Sequence, residues 1–196
     1  FGVDYEGDPE KFGTEFEEDI LVIKYTVKEF GLPAGLKLSV HSGSDKFSIY
    51  PIIGNLIRKH DCGFHLKTAG TTWLEEVIGL ALAGGTGFRI ARQIYREAYL
   101  RREELCGPYA TVIDIKPELL PHPDEVDTWD TLRFANTLRH VQADPDYNPS
   151  FRQLIHVGYK VAAELGEEFT DALKANKQII STCVWENIYR RHIIRL

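Results

Sequence analysis

The sequence predicts an α/β fold built from parallel βα units, and three observations support this class. Short stretches at residues 36–41, 63–67 and 111–115 alternate apolar and polar side chains with the period of two that is typical of strands. Helical patterns separate these stretches, as crossovers between parallel strands require. A complete (β/α)8 barrel needs about 250 residues, whereas this chain has 196. We therefore expect the C-terminal half of a TIM-type barrel, as a single α/β domain over residues 1–196 that is a fragment of a longer chain.

A long amphipathic helix is expected before the first strand. Asp8 is suited to cap its N-terminus, and Pro9 fits its first turn. Gly31 is expected to end this helix. Apolar side chains recur between them at helical spacing, which predicts a face directed at the core: Phe16, Ile20, Ile23, Val27 and Phe30.

The first strand and the loop after it carry a dense set of reactive groups. Apolar and polar residues alternate over residues 36–41, and His41 closes the strand. Active sites of open and barrel α/β folds lie at such strand ends. An ordinary solvated turn is the alternative interpretation of this loop. The loop supplies two hydroxyls, a carboxylate and an ammonium group in five residues: Ser42, Gly43, Ser44, Asp45 and Lys46.

The second strand repeats this arrangement. In residues 63–67 the apolar side chains face one way, whereas His65 and Lys67 face the other. A helix over residues 73–82 is expected next, followed by a glycine-rich connection at 83–87. Because no GK[ST] motif follows these glycines, we interpret them as a link between helices and not as a phosphate-binding loop.

Helices account for most of the remaining sequence, apart from the third strand at residues 110–115. A short last strand is an alternative at residues 140–144. Arg152 and His156 are four residues apart in one of these helices and therefore share a face. Helices are expected at residues 88–105, 127–137, 151–165, 169–176 and 180–191.

Composition and charge argue against several classes of partner. The net charge of −6 and the lack of a long basic face argue against nucleic acid and anionic membranes. No apolar run approaches the roughly 20 residues of a membrane span, and we expect no signal peptide. Cys62, Cys106 and Cys183 are widely spaced, which argues against a disulfide framework or a cysteine-based zinc site. We expect a cytoplasmic protein that binds a small molecule, and self-association into a homo-oligomer stays open.

The histidines at the strand ends predict a metal site. His41 and His65 end, or nearly end, adjacent strands, so their imidazoles would meet at one edge of the sheet. Histidine is the commonest metal ligand in proteins, and Asp45 or Asp114 would add an oxygen ligand. Lys67 shares the face of His65, where it would act as an acid/base group or hold an oxyanion. A salt bridge between Lys67 and either aspartate is the alternative. Three further histidines are expected at the surface: His60, His122 and His192.

Four segments of the chain resemble the tagaturonate epimerase family, in the same order and over nearly the whole sequence. They are HSGSDKFSIYPIIG, FHLKTAGTTWLE, FRQLIHVGYKVAAELG and ENIYRRHI, of which the first two are long and specific. Residues 88–127 depart most from the family pattern, which leaves the substrate preference open. The resemblance implies the C-terminal part of a longer, barrel-type, metal-dependent epimerase acting on sugar acids or on ketohexoses such as tagatose and fructose. It also implies that some active-site groups lie upstream of this chain.

Epimerase chemistry then assigns roles to the candidate residues. Inverting a carbon beside a ketone needs a cation across the enediolate oxygens and acid/base groups on opposite faces. Retro-aldol cleavage and re-addition would invert a carbon one bond further away. Arginine is the natural bidentate partner of a carboxylate. We assign a divalent ion (Zn, Mn or similar) to His41 and His65, acid/base roles to Asp45 and Lys67, and substrate hydroxyls and carboxylate to Ser42, Lys46, Arg152 and His156.

Two other classes stay open at this stage. One is a different enzyme, either a metal-dependent sugar isomerase or a hydrolase with paired carboxylates. The other is a non-catalytic carbohydrate-binding or assembly protein, in which Phe47, Tyr50 and Trp73 would stack on sugars. A bound divalent ion at the strand ends would favour the epimerase, and a dry apolar groove would favour the binding protein.

Overall fold

The structure, a computed structural model, describes residues 2–40 and 45–196. These residues form two compact units, each with its own hydrophobic core. The α/β unit comprises the described part of Asp4–Ala69 together with Ile188–Leu196, and the helical unit comprises Gly2, Val3 and Gly70–Asn187. The single domain expected from the sequence stays a prediction. The α/β class is confirmed at the level of a mostly helical chain with a small parallel sheet.

The α/β unit begins with a helix whose ends match the sequence signals. Helix α1 spans Pro9–Phe30, and the Asp8 carboxylate accepts hydrogen bonds from the backbone N–H groups of Glu10 and Lys11. Gly31 ends the helix with a φ of 63°, a left-handed conformation that glycine adopts without strain. Strand β1 (Leu38–Val40), helix α2 (Tyr50–Lys59) and strand β2 (Phe64–Leu66) follow.

Strands β1 and β2 are parallel, as predicted, and pair in a register that brings Ser39 opposite His65. The Lys67 N–H also donates to the Val40 carbonyl, so the pairing continues past the end of β2. The apolar face of both strands packs on the core that α1 and α2 provide, while Ser39 and His65 are exposed. The period-of-two interpretation of these strands is therefore confirmed. The buried residues of this core are Phe16, Ile20, Phe47, Ile49, Tyr50 and Ile53.

Short helices pack around a large apolar core in the helical unit. The glycine-rich connection joins two of them at Gly84, which has a φ of 71°. Their bounds are α3 Ala69–Ala83, α4 Gly85–Leu100, α5 Arg102–Cys106, α6 Pro123–Val126, α7 Thr131–Leu138, α8 Pro149–Val157, α9 Tyr159–Leu165, α10 Glu167–Ala175 and α11 Lys177–Trp185, and a π-helix over Glu186–His192 follows. None of the described helices is both long and apolar enough to cross a membrane.

The prediction of a third strand is wrong. Residues 110–115, which the structure describes in full, form turns and irregular backbone. The Gln153 side-chain amide accepts from the Asp114 N–H at 2.9 Å and donates to the Asp114 carbonyl at 3.0 Å. A side chain thus satisfies the backbone groups that a neighbouring strand would otherwise pair. Residues 140–144 likewise form turns rather than a strand.

Candidate active-site residues and family assignment

The exposed face of the sheet carries the first group of candidate residues. The Nδ1 atom of His65 lies 2.9 Å from the hydroxyl oxygen of Ser39 on the paired strand. Lys67 follows two residues later and is exposed. His41 and Ser42, which were predicted to complete this group, lie outside the described residues. The structure therefore places His65 within β2 and Lys67 directly after the carboxyl end of that strand, and it leaves their predicted roles untested.

The described end of the loop after β1, from Asp45 onward, contacts a buried histidine. Asp45 has a φ of 64°, which a side chain other than glycine rarely adopts, and only 1% of the residue is exposed. Its backbone N–H donates to Nε2 of His192 at 3.4 Å. His192 is 2% exposed, so its expected surface position is wrong. The C-terminal segment folds back onto this loop, a long-range contact that no local pattern in the sequence signals.

Tyr50, the first residue of α2, is buried next to His192 and Phe47. Its ring lies 5.4 Å from the His192 ring and 5.6 Å from the Phe47 ring, centroid to centroid. Burial, reinforced by the negative charge of Asp45, raises the pKa of the Tyr50 phenol well above its usual value. Backbone N–H groups of Lys46 and Asp45 hydrogen-bond the phenol oxygen and offset part of this effect. The phenol therefore stays neutral, and its ring packs against the rings of His192 and Phe47.

Lys46 is anchored by the segment that precedes α1. Its ammonium group donates to the backbone carbonyl of Asp4 at 2.9 Å. Partial burial lowers the pKa of Lys46, and the negative charges of Asp4, Glu6 and Asp45 oppose this shift. The Asp4 carboxylate in turn accepts from the backbone N–H and the hydroxyl of Ser48. Residues 45–48 are thus contacted both by Asp4 and by His192.

Two arginines that were not predicted as site residues contact the ring of Phe47 in this loop. The guanidinium carbon of Arg191 lies 4.5 Å from the Phe47 ring centroid, and that of Arg195 lies 5.2 Å from it. Both distances are within the range of a cation–π contact. The segment ENIYRRHI, noted for its family resemblance, contains Arg191. The sequence showed that this segment is distinctive but not where its side chains lie.

Arg152 and His156 lie in the helical unit, one turn apart on α8. Arg152 is completely buried, and its guanidinium donates to the carbonyl oxygens of Gly2 at 2.6 Å and Leu138 at 2.7 Å. A Cβ atom at Gly70 would lie 2.4 Å from the His156 ring, so this close approach requires glycine. The shared face of Arg152 and His156 agrees with the sequence analysis. In this structure the Arg152 guanidinium binds backbone carbonyls, and its substrate role stays a prediction.

The predicted metal site is only partly covered by the described residues. Within residues 2–40 and 45–196, no three His, Cys, Asp or Glu side chains are grouped so as to hold a metal. His65 nevertheless has a feature of metal-binding histidines, because a hydroxyl lies within hydrogen-bond distance of one ring nitrogen and orients the other. The metal site stays a prediction, because only one of its two assigned ligands, His65, lies among the described residues.

An apolar groove of about 360 Å³ lies at the opposite end of the strands. It is lined by residues of α1 and by Leu36, Lys37 and Leu38, with Asp61, Cys62 and Gly63 at the start of β2. These are the amino-terminal ends of both strands. The groove is therefore separate from the polar groups that follow the carboxyl ends of the strands.

Comparison with known proteins supports the resemblance seen in the sequence. The family model described as UxaE, tagaturonate epimerase, matches residues 1–195. A tagaturonate/fructuronate epimerase of Thermotoga maritima is 31% identical over 195 residues, which are 98% of this chain and 35% of that protein. The chain therefore spans about a third of the length of this relative.

Solved structures lead to the same family. The native crystal structure of fructuronate-tagaturonate epimerase UxaE from Cohnella laeviribosi matches with a TM-score of 0.70 and 25% identity, over 100% of this chain and 36% of that one. A glycerol complex of the same enzyme matches with a TM-score of 0.75 and 24% identity over the same shares, which shows a common fold. From the match over residues 1–195, we conclude that the chain belongs to the tagaturonate epimerase family.

Proposed function

We propose that this chain supplies part of the active site of an epimerase that interconverts tagaturonate and fructuronate. The observation that carries the proposal is the pair formed by His65 and Ser39 on the exposed face of two parallel strands, with Lys67 directly after the carboxyl end of β2. This is the position at which parallel α/β folds bind and transform ligands. The family relatives are named for this activity, and we extend it to this chain. The enzyme belongs to the isomerase class.

We further propose that β1 and β2 are part of a TIM-type barrel. Parallel sheets are normally covered on both faces, yet Ser39, His65 and Lys67 are exposed in the described structure. In a barrel, that face would line the interior near the catalytic end. A crystal structure of the protein at the full length that its gene encodes tests this, because the two strands would then pair with further parallel strands.

The proposed reaction depends on a divalent cation that His41 and His65 would hold. Such an ion would act as a Lewis acid that stabilises negative charge developing on the sugar oxygens. The Ser39 hydroxyl would orient His65, since a hydrogen bond at one ring nitrogen fixes which nitrogen faces the ion.

Lys67 and Asp45 are the proposed acid/base groups. For inversion beside the ketone, one of them takes the proton from the substrate carbon, and the other returns a proton on the opposite face. For the retro-aldol route, the base removes a hydroxyl proton before the carbon–carbon bond breaks. Lys67 is the exposed member of the pair and Asp45 the buried one. Ser42 and Lys46 would bind substrate oxygens beside them.

Metal analysis and activity assays of histidine variants test the proposal. His65→Ala and His41→Ala are expected to lower the bound divalent metal and to remove epimerase activity on tagaturonate. His122→Ala provides the matched control, because this histidine is exposed in the helical unit. Full metal content in both of the first two variants would refute the ligand roles. A wild-type protein that produces no fructuronate from tagaturonate would refute the proposed function.

A further inference from the structure

Two arginines of the C-terminal segment share one aromatic ring next to the candidate loop. Arg191 belongs to the π-helix Glu186–His192, and Arg195 follows one turn later. Their guanidinium carbons lie 4.5 Å and 5.2 Å from the centroid of the Phe47 ring. Phe47 is 9% exposed and lies two residues after Asp45 in the chain. The ring therefore fixes two cationic groups next to a loop that already carries Asp45 and Lys46.

Stacking of this kind suits a guanidinium for binding an anion. A planar guanidinium contacts an aromatic ring through its face, while its N–H donors point along its plane and match the two oxygens of a carboxylate. Long side chains lose about 2 kcal/mol of rotamer entropy when they are ordered. The cation–π contact with Phe47 restricts part of each arginine before any ligand arrives, so less conformational entropy is lost on binding.

The remaining charges near the loop are compatible with this use. Lys46 adds a third cation, and the carboxylates that face it are those of Asp4, Glu6 and Asp45. Lys46 donates to the Asp4 backbone, and Asp4 accepts from Ser48. These contacts engage Lys46 and Asp4 with the protein itself. Arg195 contacts the Phe47 ring and is exposed.

We propose that Arg191 and Arg195 form the subsite that binds the carboxylate of the sugar acid. The proposal rests on the proposed function, and it names the groups that distinguish a sugar acid from a neutral ketose. Arg152, the arginine assigned to this role from the sequence, is completely buried and donates to backbone carbonyls. Arg191 and Arg195 instead lie in the same unit as Asp45 and Lys67.

Kinetics on two substrates test the subsite. The protein is used at the full length that its gene encodes, with Arg191→Gln, Arg195→Gln and the matched control Arg190→Gln, whose arginine is exposed. Losing hydrogen bonds from a charged donor to a carboxylate is expected to raise KM for tagaturonate about ten-fold or more in each of the first two variants. KM for tagatose, which lacks the carboxylate, is expected to stay unchanged. Arg190→Gln is expected to match wild type on both.

Other outcomes would overturn the subsite. If KM for tagaturonate is unchanged, or if both substrates are affected equally, the two arginines serve only to pack Phe47. Thermal melting of each variant detects unfolding, and the exposed Arg195 keeps the test valid should Arg191→Gln unfold. Arg191→Lys keeps the charge without the planar fork, so an intermediate KM is expected.

Direct binding separates this proposal from the proposed function. Calorimetric titration of wild type and Arg195→Gln with tagaturonate measures binding without turnover. If wild type binds tagaturonate more tightly than Arg195→Gln but does not convert it, the proposed function fails and the subsite stands. If the two proteins bind it equally, the subsite is refuted whatever the catalytic result.

Discussion

His192 is predicted to control the order of the loop that carries Asp45. His192→Leu removes one acceptor of the buried Asp45 N–H, which also bonds the Tyr50 phenol oxygen. The loss is therefore that of one hydrogen bond, about 0.5–1.5 kcal/mol. The 3.4 Å separation is long for this bond, so we expect the lower part of that range, about 0.5–1 kcal/mol. Loss of the ring contacts with Phe47 and Tyr50 adds about 0.5–1.5 kcal/mol each. His192→Gln retains an acceptor and loses only the ring.

Hydrogen–deuterium exchange measures this effect where it arises. A free energy of 1.4 kcal/mol corresponds to a factor of ten. Losing the hydrogen bond therefore predicts amide exchange about 2 to 5 times faster in His192→Leu than in His192→Gln, in peptides covering residues 45–59. Trp73, Trp129 and Trp185 all lie in the helical unit, so tryptophan fluorescence should be unchanged and serves as the internal control. Equal exchange in the two variants would refute the role of the hydrogen bond.

Two further predictions concern the helical unit. Gly79→Ala would bring a Cβ atom within 2.8 Å of the Ile180 backbone and should lower the free energy of unfolding by about 1–3 kcal/mol in urea denaturation. Gly107→Ala is the control, because the space around Gly107 is open. An equal loss of stability in both variants would contradict the packing argument. Arg101 lowers the pKa of Glu104 to about 2. The stability contributed by this ion pair is therefore expected to be full above pH 4.5 and to fall as the pH drops towards 2. Glu104→Gln should weaken this pH dependence in melting curves, and an unchanged pH profile would exclude the ion pair as its source.

Local patterns determined much of the α/β unit. Asp8, Pro9 and Gly31 predicted the ends of α1 because capping and left-handed backbone depend on one or two residues. Alternation predicted β1 and β2, and it placed His65 on the face opposite to Phe64 and Leu66. The resemblance of four segments identified the family, which the comparisons confirmed over residues 1–195.

Tertiary contacts decided what local patterns could not. Residues 110–115 alternate like a strand, yet the Gln153 side chain pairs with Asp114 and no strand forms. His192 is polar and near the end of the chain, but it is buried against Asp45 and Phe47. The alternation of side chains and the polarity of a residue can be seen in a short stretch of sequence. Burial and hydrogen-bond partners depend on residues as far as 150 positions apart, so only the folded structure shows them.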